Sequence, residues 1–379
     1  MPLTSKQRML TALQRGTPDR LPVTTHHVME YFLNHYMGGS NYQAFFDRFN
    51  LDAYHWILPF RSEPGVVEVN PLGFTCSESW RVESEVLPGG PYQTTRHTIH
   101  TPKGTLSMAL QSNEHTAWVV ERPIKEKGDI ALLEFMPAPL CDVQAVNAAA
   151  QAFGERGLVR GHIPGFDIYG QPGTWQDASC LYGIENLIFA THDDPAWVDE
   201  LLGILRRRKE IFIRSLQGAR YDLLELGGGD ASSTVISPRL FDRFVAPHDS
   251  ILIDLAHENG QRIVYHTCGG MMPILENVAA MRPDAMETFT PIGMGGDMDL
   301  AQAKRRIGDK VCFIGGFDQF HYFLGCTPDE TRLAVRRCFE TAGAGGGYIL
   351  SPSDHFFDAD LALIEAFADE AHQCLYEDQ

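Results

Sequence analysis

The sequence predicts an α/β fold: a (β/α)8 TIM-type barrel with an antiparallel β insertion near its N-terminal half. Three observations predict it. From about residue 155 onward, short β-prone runs closed by Gly, Pro or Asp alternate with helical patterns. That order makes parallel strands joined by crossover helices. Residues 75–122 break the rhythm, with alternating segments separated by PGG, PKG and SNE, and read as an antiparallel excursion. The 379 residues suit a barrel of about 250 residues enlarged by insertions. Residues 1–379 are therefore read as a single domain carrying the 75–122 excursion.

Each element has its own signal. RLPVTTHH (20–27) is an early strand. SWRVESEV, YQTTRHTIHT, GTLSMALQ and TAWVVER are the strands of the insertion. The barrel strands that follow are GLVRGHIP (157–164), DLLELGGG (222–229), RIVYHTCGG (262–270), AMETFTP (285–291), VCFIGGFD (311–318) and YILSPSDH (348–355). Helices lie between them. Residues 193–216 open with a capping Asp and a Pro, then show a 3–4 period. Residues 237–260 begin at Ser-Pro and stop at Asn259-Gly260, and residues 327–343 begin at Thr-Pro-x-Glu and stop at Gly343.

Composition narrows the function classes. Hydrophobic residues make up 44%, enough for a sizeable core, and the formal net charge is −18. Such a charge repels phosphate, so neither nucleic acid nor an anionic membrane is expected as a partner. No apolar run approaches the roughly 20 residues that span a bilayer, and MPLTSKQRMLTALQRG lacks a signal-peptide core. A cytoplasmic protein is expected. Its eight cysteines are scattered without a CxxC, as reduced thiols are. Cys312 reads as core.

In such barrels chemistry sits where strands end. The predicted strand ends offer His26 and His27, then His162 running towards Asp167, then Glu225 and Asp230, His266 and Cys268, Glu287, Asp318, and Asp354 with His355. His266 and Cys268, at i and i+2 of a strand, project from one face. Imidazole, thiolate and carboxylate together favour zinc, so the expected metal set is His266, Cys268, Glu287 and Asp354 or His355. Asp358 is expected to cap the last helix, which leaves Asp354 free. Asp230 and His162 are the expected proton carriers, with Glu225, His26 and Asp318 as substrate contacts. LELGGGDASS and GAGGGYILS lack the GxGxxG order of a nucleotide loop. Trp80, Trp118, Trp175, Phe356 and Phe357 have spacings more common in cores than in pockets.

These residues together resemble the uroporphyrinogen decarboxylase superfamily. The resemblance is carried by SKQRMLTALQRGTPDRLPV, by the Ser-Pro helix, His-Glu-x-Gly turn and His-x-Cys-Gly strand end of 236–275, and by DLAQAKRRIGDKVCFIGGFDQ and AGAGGGYILSP. True decarboxylases of that superfamily carry an Arg-Gln-Ala-Gly-Arg loop that grips substrate carboxylates. The matching region here, PVTTHHVMEYF, has no arginine. The other branch, the methylcobamide:coenzyme M methyltransferases and O-demethylation components, holds zinc with a His-x-Cys pair and a later Cys in a Ser-Pro-Gly-Cys loop. His266 and Cys268 match the pair, and Asp354 of Ser-Pro-Ser-Asp stands where the later Cys would be. Cobalamin-independent methionine synthase is more distantly similar, and Glu287 sits where its glutamate ligand would.

The resemblance implies a zinc-dependent methyltransferase-like enzyme that moves a methyl group between a small-molecule donor and a corrinoid or similar carrier. A corrinoid (cobalamin) would arrive free or on a corrinoid protein. The alternatives are a decarboxylase of a smaller carboxylated substrate and a non-catalytic zinc- or small-molecule-binding protein on the same scaffold. A homodimer is a candidate assembly.

Overall fold

The computed structural model describes residues 2–70, 73–166 and 172–376. Its thirteen described strands are, in chain order, β1 (Ala53–Trp56), β2 (Glu68–Val69), β3 (Thr75–Cys76), β4 (Arg81–Leu87), β5 (Gln93–Thr101), β6 (Gly104–Ser112), β7 (Ala117–Glu121), β8 (Gly157–His162), β9 (Leu223–Gly227), β10 (Ile263–His266), β11 (Ala285–Thr288), β12 (Cys312–Phe317) and β13 (Tyr348–Pro352). Seven of them form one parallel sheet in the order β1-β8-β9-β10-β11-β12-β13.

The early segment 20–27 is not a regular strand, but it fills the gap between the ends of that sheet. Val23 bridges Leu350 of β13 in parallel, and the Asp52 amide donates to the Val23 carbonyl at 2.7 Å. The result is a TIM-like barrel with His26 delivered to its rim. The insertion is a four-stranded antiparallel meander, β4-β5-β6-β7, spanning residues 81–121, preceded by the small β2–β3 pair.

The helix signals act as capping chemistry requires. Asp194 accepts from the Trp197 amide ahead of the helix Pro195–Ser215. Thr327 and Glu330 close a capping box on the helix Pro328–Ala342. The helix expected over 237–260 is broken instead. Ser237 caps a short turn, Pro238–Leu240, which widens into a π segment, Phe241–Val245, before the helix Ala246–Glu258. Pro247 lies just after that segment and has no amide hydrogen to donate. The last helix, Leu361–Gln373, is capped by Asp360 and not by Asp358, whose carboxylate accepts from the Tyr36 hydroxyl at 2.6 Å.

Parallel strands covered on both faces read as continuous apolar runs, and β9 to β13 are buried almost throughout. Trp80, Trp175 and Phe356 lie in the core, as does Cys312. Against that background, the charged residues inside β8, β9 and β11 mark the site.

Candidate metal centre

Strand register assembles the centre. Trp56 pairs with Arg160, His162 with Glu225, and His266 with both Gly227 and Glu287. Alternation along each strand turns Arg160, Glu225, His266 and Glu287 into one layer inside the barrel. Gly227 makes this closeness workable. Its φ is +108°, and a Cβ there would stand 2.3 Å from the His266 carbonyl oxygen. From the early segment, His26 joins the layer, with Nδ1 3.4 Å from Glu287 and its ring 5.0 Å from that of His266.

His26, Glu225, His266 and Glu287 are all buried, and each offers a ligand atom within 4.8 Å of the others. This cluster has the donors and the spacing to hold a metal ion. It already contains a cation. The Arg160 guanidinium, fully buried, places Nη2 2.9 Å from Glu225 and 2.5 Å from Glu287. It lies 4.9 Å from the Tyr54 ring centroid and 4.5 Å from that of Trp56. Burial alone would raise the Glu287 carboxyl; Arg160 and His26 override it and hold Glu287 well below the usual carboxylate range.

His266 faces two ways. Nδ1 meets Glu287 Oε1 at 3.1 Å, and Nε2 meets the Cys268 sulfur at 3.0 Å. A carboxylate only accepts, so Nδ1 carries hydrogen, and Nε2 is the ring atom turned towards the Cys268 sulfur. Burial opposes charge on His266, yet Cys268 and Glu225 push its imidazole well above the ordinary range. Burial pushes the Cys268 thiol up, against the pull of His266.

The loop carrying Cys268 is pinned from both sides. The Thr288 hydroxyl donates to the Thr267 carbonyl at 2.6 Å. The Gly269 and Gly270 amides donate to the hydroxyls of Thr290 and Thr234. Asp354 hydrogen bonds to the Cys268 thiol. It is fixed by Gln319, which donates to the Asp354 carbonyl and accepts from the Ser353 amide. Burial opposes ionisation of Asp354, but His355, 2.8 Å away, and His266 leave it below the usual range. His355 is half exposed, with its Nδ1 on Asp354 and its ring 5.3 Å from Phe357.

The remaining expected residues divide. His162 lines a cavity of about 310 Å³ with His27, Trp56, Ile57, Leu58 and Glu225. Its Nδ1 faces the Ile163 carbonyl at 3.2 Å, and burial holds its imidazole below its ordinary range. A second pocket, of about 290 Å³, is bordered by Asp354, His355, Gln319, Phe320, Phe357 and Asp358. The Asp230 carboxylate is taken up by Ser179 and Gln176. Asp318 caps the turn Gln319–Tyr322 and pairs with His321 at 2.8 Å. Asp167 lies outside the described residues. Glu225 and His26, expected as substrate contacts, stand with His266 and Glu287 among the candidate metal donors, whereas Cys268, Asp354 and His355, expected as ligands, lie outside that mutually close group.

Arg160 was not anticipated. Its signal was present in GLVRGHIP: a charge in the middle of an apolar parallel strand has only the barrel interior or the helix layer to face.

The family described as uroporphyrinogen decarboxylase (URO-D) matches residues 98–374. The uroporphyrinogen decarboxylase of Thioalkalivibrio sulfidiphilus (strain HL-EbGR7) is 24% identical over 290 residues, covering 73% of this chain and 77% of that protein. That of Hydrogenovibrio crunogenus (strain DSM 25203 / XCL-2) is 26% identical over 256 residues, covering 65% and 67%. Among solved structures, a methyltransferase from Methanosarcina mazei matches with a TM-score of 0.65 over 98% of this chain and 99% of that one, at 15% identity. At that identity the likeness establishes the fold. No helix among the described residues is long and apolar enough to cross a membrane.

Proposed function

From the premise that this chain belongs to the uroporphyrinogen decarboxylase family, we propose that it is a zinc-dependent methyltransferase-like enzyme. It would move a methyl group between a small-molecule donor and a corrinoid or similar carrier, bound free or on a partner protein. One observation carries the reading: His266 Nε2 and the Cys268 sulfur meet at 3.0 Å, while Nδ1 is anchored on Glu287. A liganding histidine is usually oriented in this way, by a carboxylate on its other nitrogen.

The donors fit zinc. The His266 imidazole and the Cys268 thiol meet, and Asp354 lies against that thiol; imidazole, thiol and carboxylate together suit zinc better than magnesium or calcium. These residues would hold the ion, and Glu287, Glu225 and Arg160 would support them from behind. When bound, zinc supplies Lewis acidity, which lowers the pKa of a coordinated thiol or hydroxyl or polarises an ether oxygen. A single sulfur ligand favours an oxygen-bearing substrate over a thiol.

The chain's own residues supply the rest. His162 has its Nδ1–H directed at a carbonyl, so Nε2 keeps a lone pair that can accept a proton inside the cavity shared with Glu225. Two pockets flank the centre, one bordered by Glu225 and the other by Asp354, and methyl transfer needs room for two reactants. Among the described residues, neither pocket is lined by lysine or arginine. A polycarboxylate porphyrinogen has no cationic grip there.

A second reading is decarboxylation of a smaller carboxylated substrate: the names of the relatives favour the reaction, and the pockets' uncharged-to-acidic lining favours the smaller substrate. Metal analysis separates the two. Protein purified without added metal should carry near-stoichiometric zinc, and Cys268→Ala should lose it. With methylcobalamin and a range of thiol and hydroxyl acceptors, the zinc-loaded enzyme should demethylate the corrinoid, seen by absorbance. Absence of zinc, with decarboxylation that survives chelation and loss of His266, would favour the second reading.

A further inference from the structure

Two donor sets share His266. The inner one is His26, Glu225, His266 and Glu287. The outer one is a chain of contacts, from His266 Nε2 to the Cys268 sulfur and from Cys268 to Asp354, that a bound ion would have to draw together. The inner set has two carboxylates and would be the natural seat of a hard divalent ion. Arg160 occupies the charge of both. Its Nη2 bridges Glu225 and Glu287, and the guanidinium cannot shed its proton. It is also held by geometry, since β1 sets Tyr54 and Trp56 against it on the same interior face.

We infer that Arg160 is a positioning residue that decides which donor set takes the metal: it fills the inner carboxylate pair as a built-in counter-ion and so confines the metal to His266, Cys268 and Asp354. The inference rests on the zinc reading above. A divalent ion in the inner set would stand beside a fixed positive charge, whereas the outer set lies on the far nitrogen of the His266 ring. Glu225 and Glu287 then act through Arg160 and His266 and do not bind the metal. The same arrangement favours soft, sulfur-accepting ions, because the donors suited to hard ions are already satisfied.

Cobalt(II) substitution of the full chain tests this, because a thiolate ligand gives a near-ultraviolet charge-transfer band that no nitrogen or oxygen ligand produces. Wild-type protein should show the band, and Cys268→Ala should lose it with a drop in cobalt affinity of about tenfold or more. Failure of that first result overturns the zinc reading itself. Arg160→Met keeps the bulk and removes the charge. It should weaken the band, and the double variant R160M/C268A should regain cobalt binding without a sulfur band and take up manganese(II). If R160M keeps the wild-type band and the double variant binds no metal, the zinc reading stands and the role of Arg160 is overturned. Should R160M fail to fold, Glu225→Gln in the otherwise intact chain decides. A supporting glutamate should leave the band in place, and loss of cobalt binding matching that of C268A would make Glu225 a ligand and refute the inference.

Discussion

Glu287→Gln probes the support of the centre most sharply. The substitution keeps shape and removes one charge. Glu287 meets Arg160 at 2.5 Å and His266 Nδ1 at 3.1 Å, with all three side chains nearly fully buried. Breaking a buried ion pair by removing one partner costs about 3–5 kcal/mol. Glu225 still holds Arg160 at 2.9 Å, so the low end, about 3 kcal/mol, is expected. Loss of an orienting carboxylate behind a metal-bound histidine costs about 10–100-fold in metal affinity, equivalent to about 1.4–2.8 kcal/mol. Urea titration of the metal-free protein measures the first, as a lower midpoint at unchanged slope. Competition with a chromophoric zinc chelator measures the second. Lost stability with unchanged zinc affinity would refute the argument that Glu287 orients His266 for a metal.

Other outcomes follow from the same contacts. Gly227→Ala puts a Cβ 2.3 Å from the His266 carbonyl at a φ of +108°; it should destabilise the fold by about 3 kcal/mol or more and lower metal content together with stability, as denaturation and metal analysis would show. Thr327→Ala removes a capping box from Pro328–Ala342; it should cost about 1 kcal/mol and leave zinc content untouched. The His257 imidazole is raised above its ordinary 6.5 by its hydrogen bond to Asp284, against burial. Its contribution is therefore fully present below about pH 6.5 and lost as pH rises through the higher folded value. Wild type should lose slightly more stability between acidic and alkaline buffer than His257→Gln, and equal pH profiles would count against that pair.

The barrel was legible because its signals are local. Repeated Gly-, Pro- or Asp-closed strands, capped helices and the turn-rich stretch before residue 122 each specify their own element. His266 and Cys268 could be paired from the two-residue repeat of a strand, and Glu287 is the partner of His266 on the next strand. The inner layer was less legible. Glu225 and His26 were placed at the mouth as substrate contacts; strand register sets Glu225, and the irregular segment 20–27 sets His26, beside His266 and Glu287. Arg160 was missed because only the neighbouring strands show that it bridges two glutamates. Asp318 and Asp230 show that a strand-end acid has more than one use. An acid after a strand also suits a helix cap or a hydroxyl partner, and Asp318 takes the first role while Asp230 takes the second.

The segment 20–27 shows how the sheet depends on context. Its β-prone residues make an isolated bridge to Leu350 because Pro22 has no amide to donate. The irregular backbone that follows is what brings His26 inward. Asp354 was identified by position in the Ser-Pro-Ser-Asp loop, and its contact with Cys268 arises from the hold of Gln319 on that loop.

X-ray absorption at the zinc edge of the purified wild-type protein tests the central claim most directly. The account predicts a first shell with one sulfur at about 2.3 Å and the remaining ligands nitrogen or oxygen at about 2.0–2.2 Å. A shell of nitrogen and oxygen alone would move the metal to the inner cluster, and protein that binds no zinc would contradict the account outright.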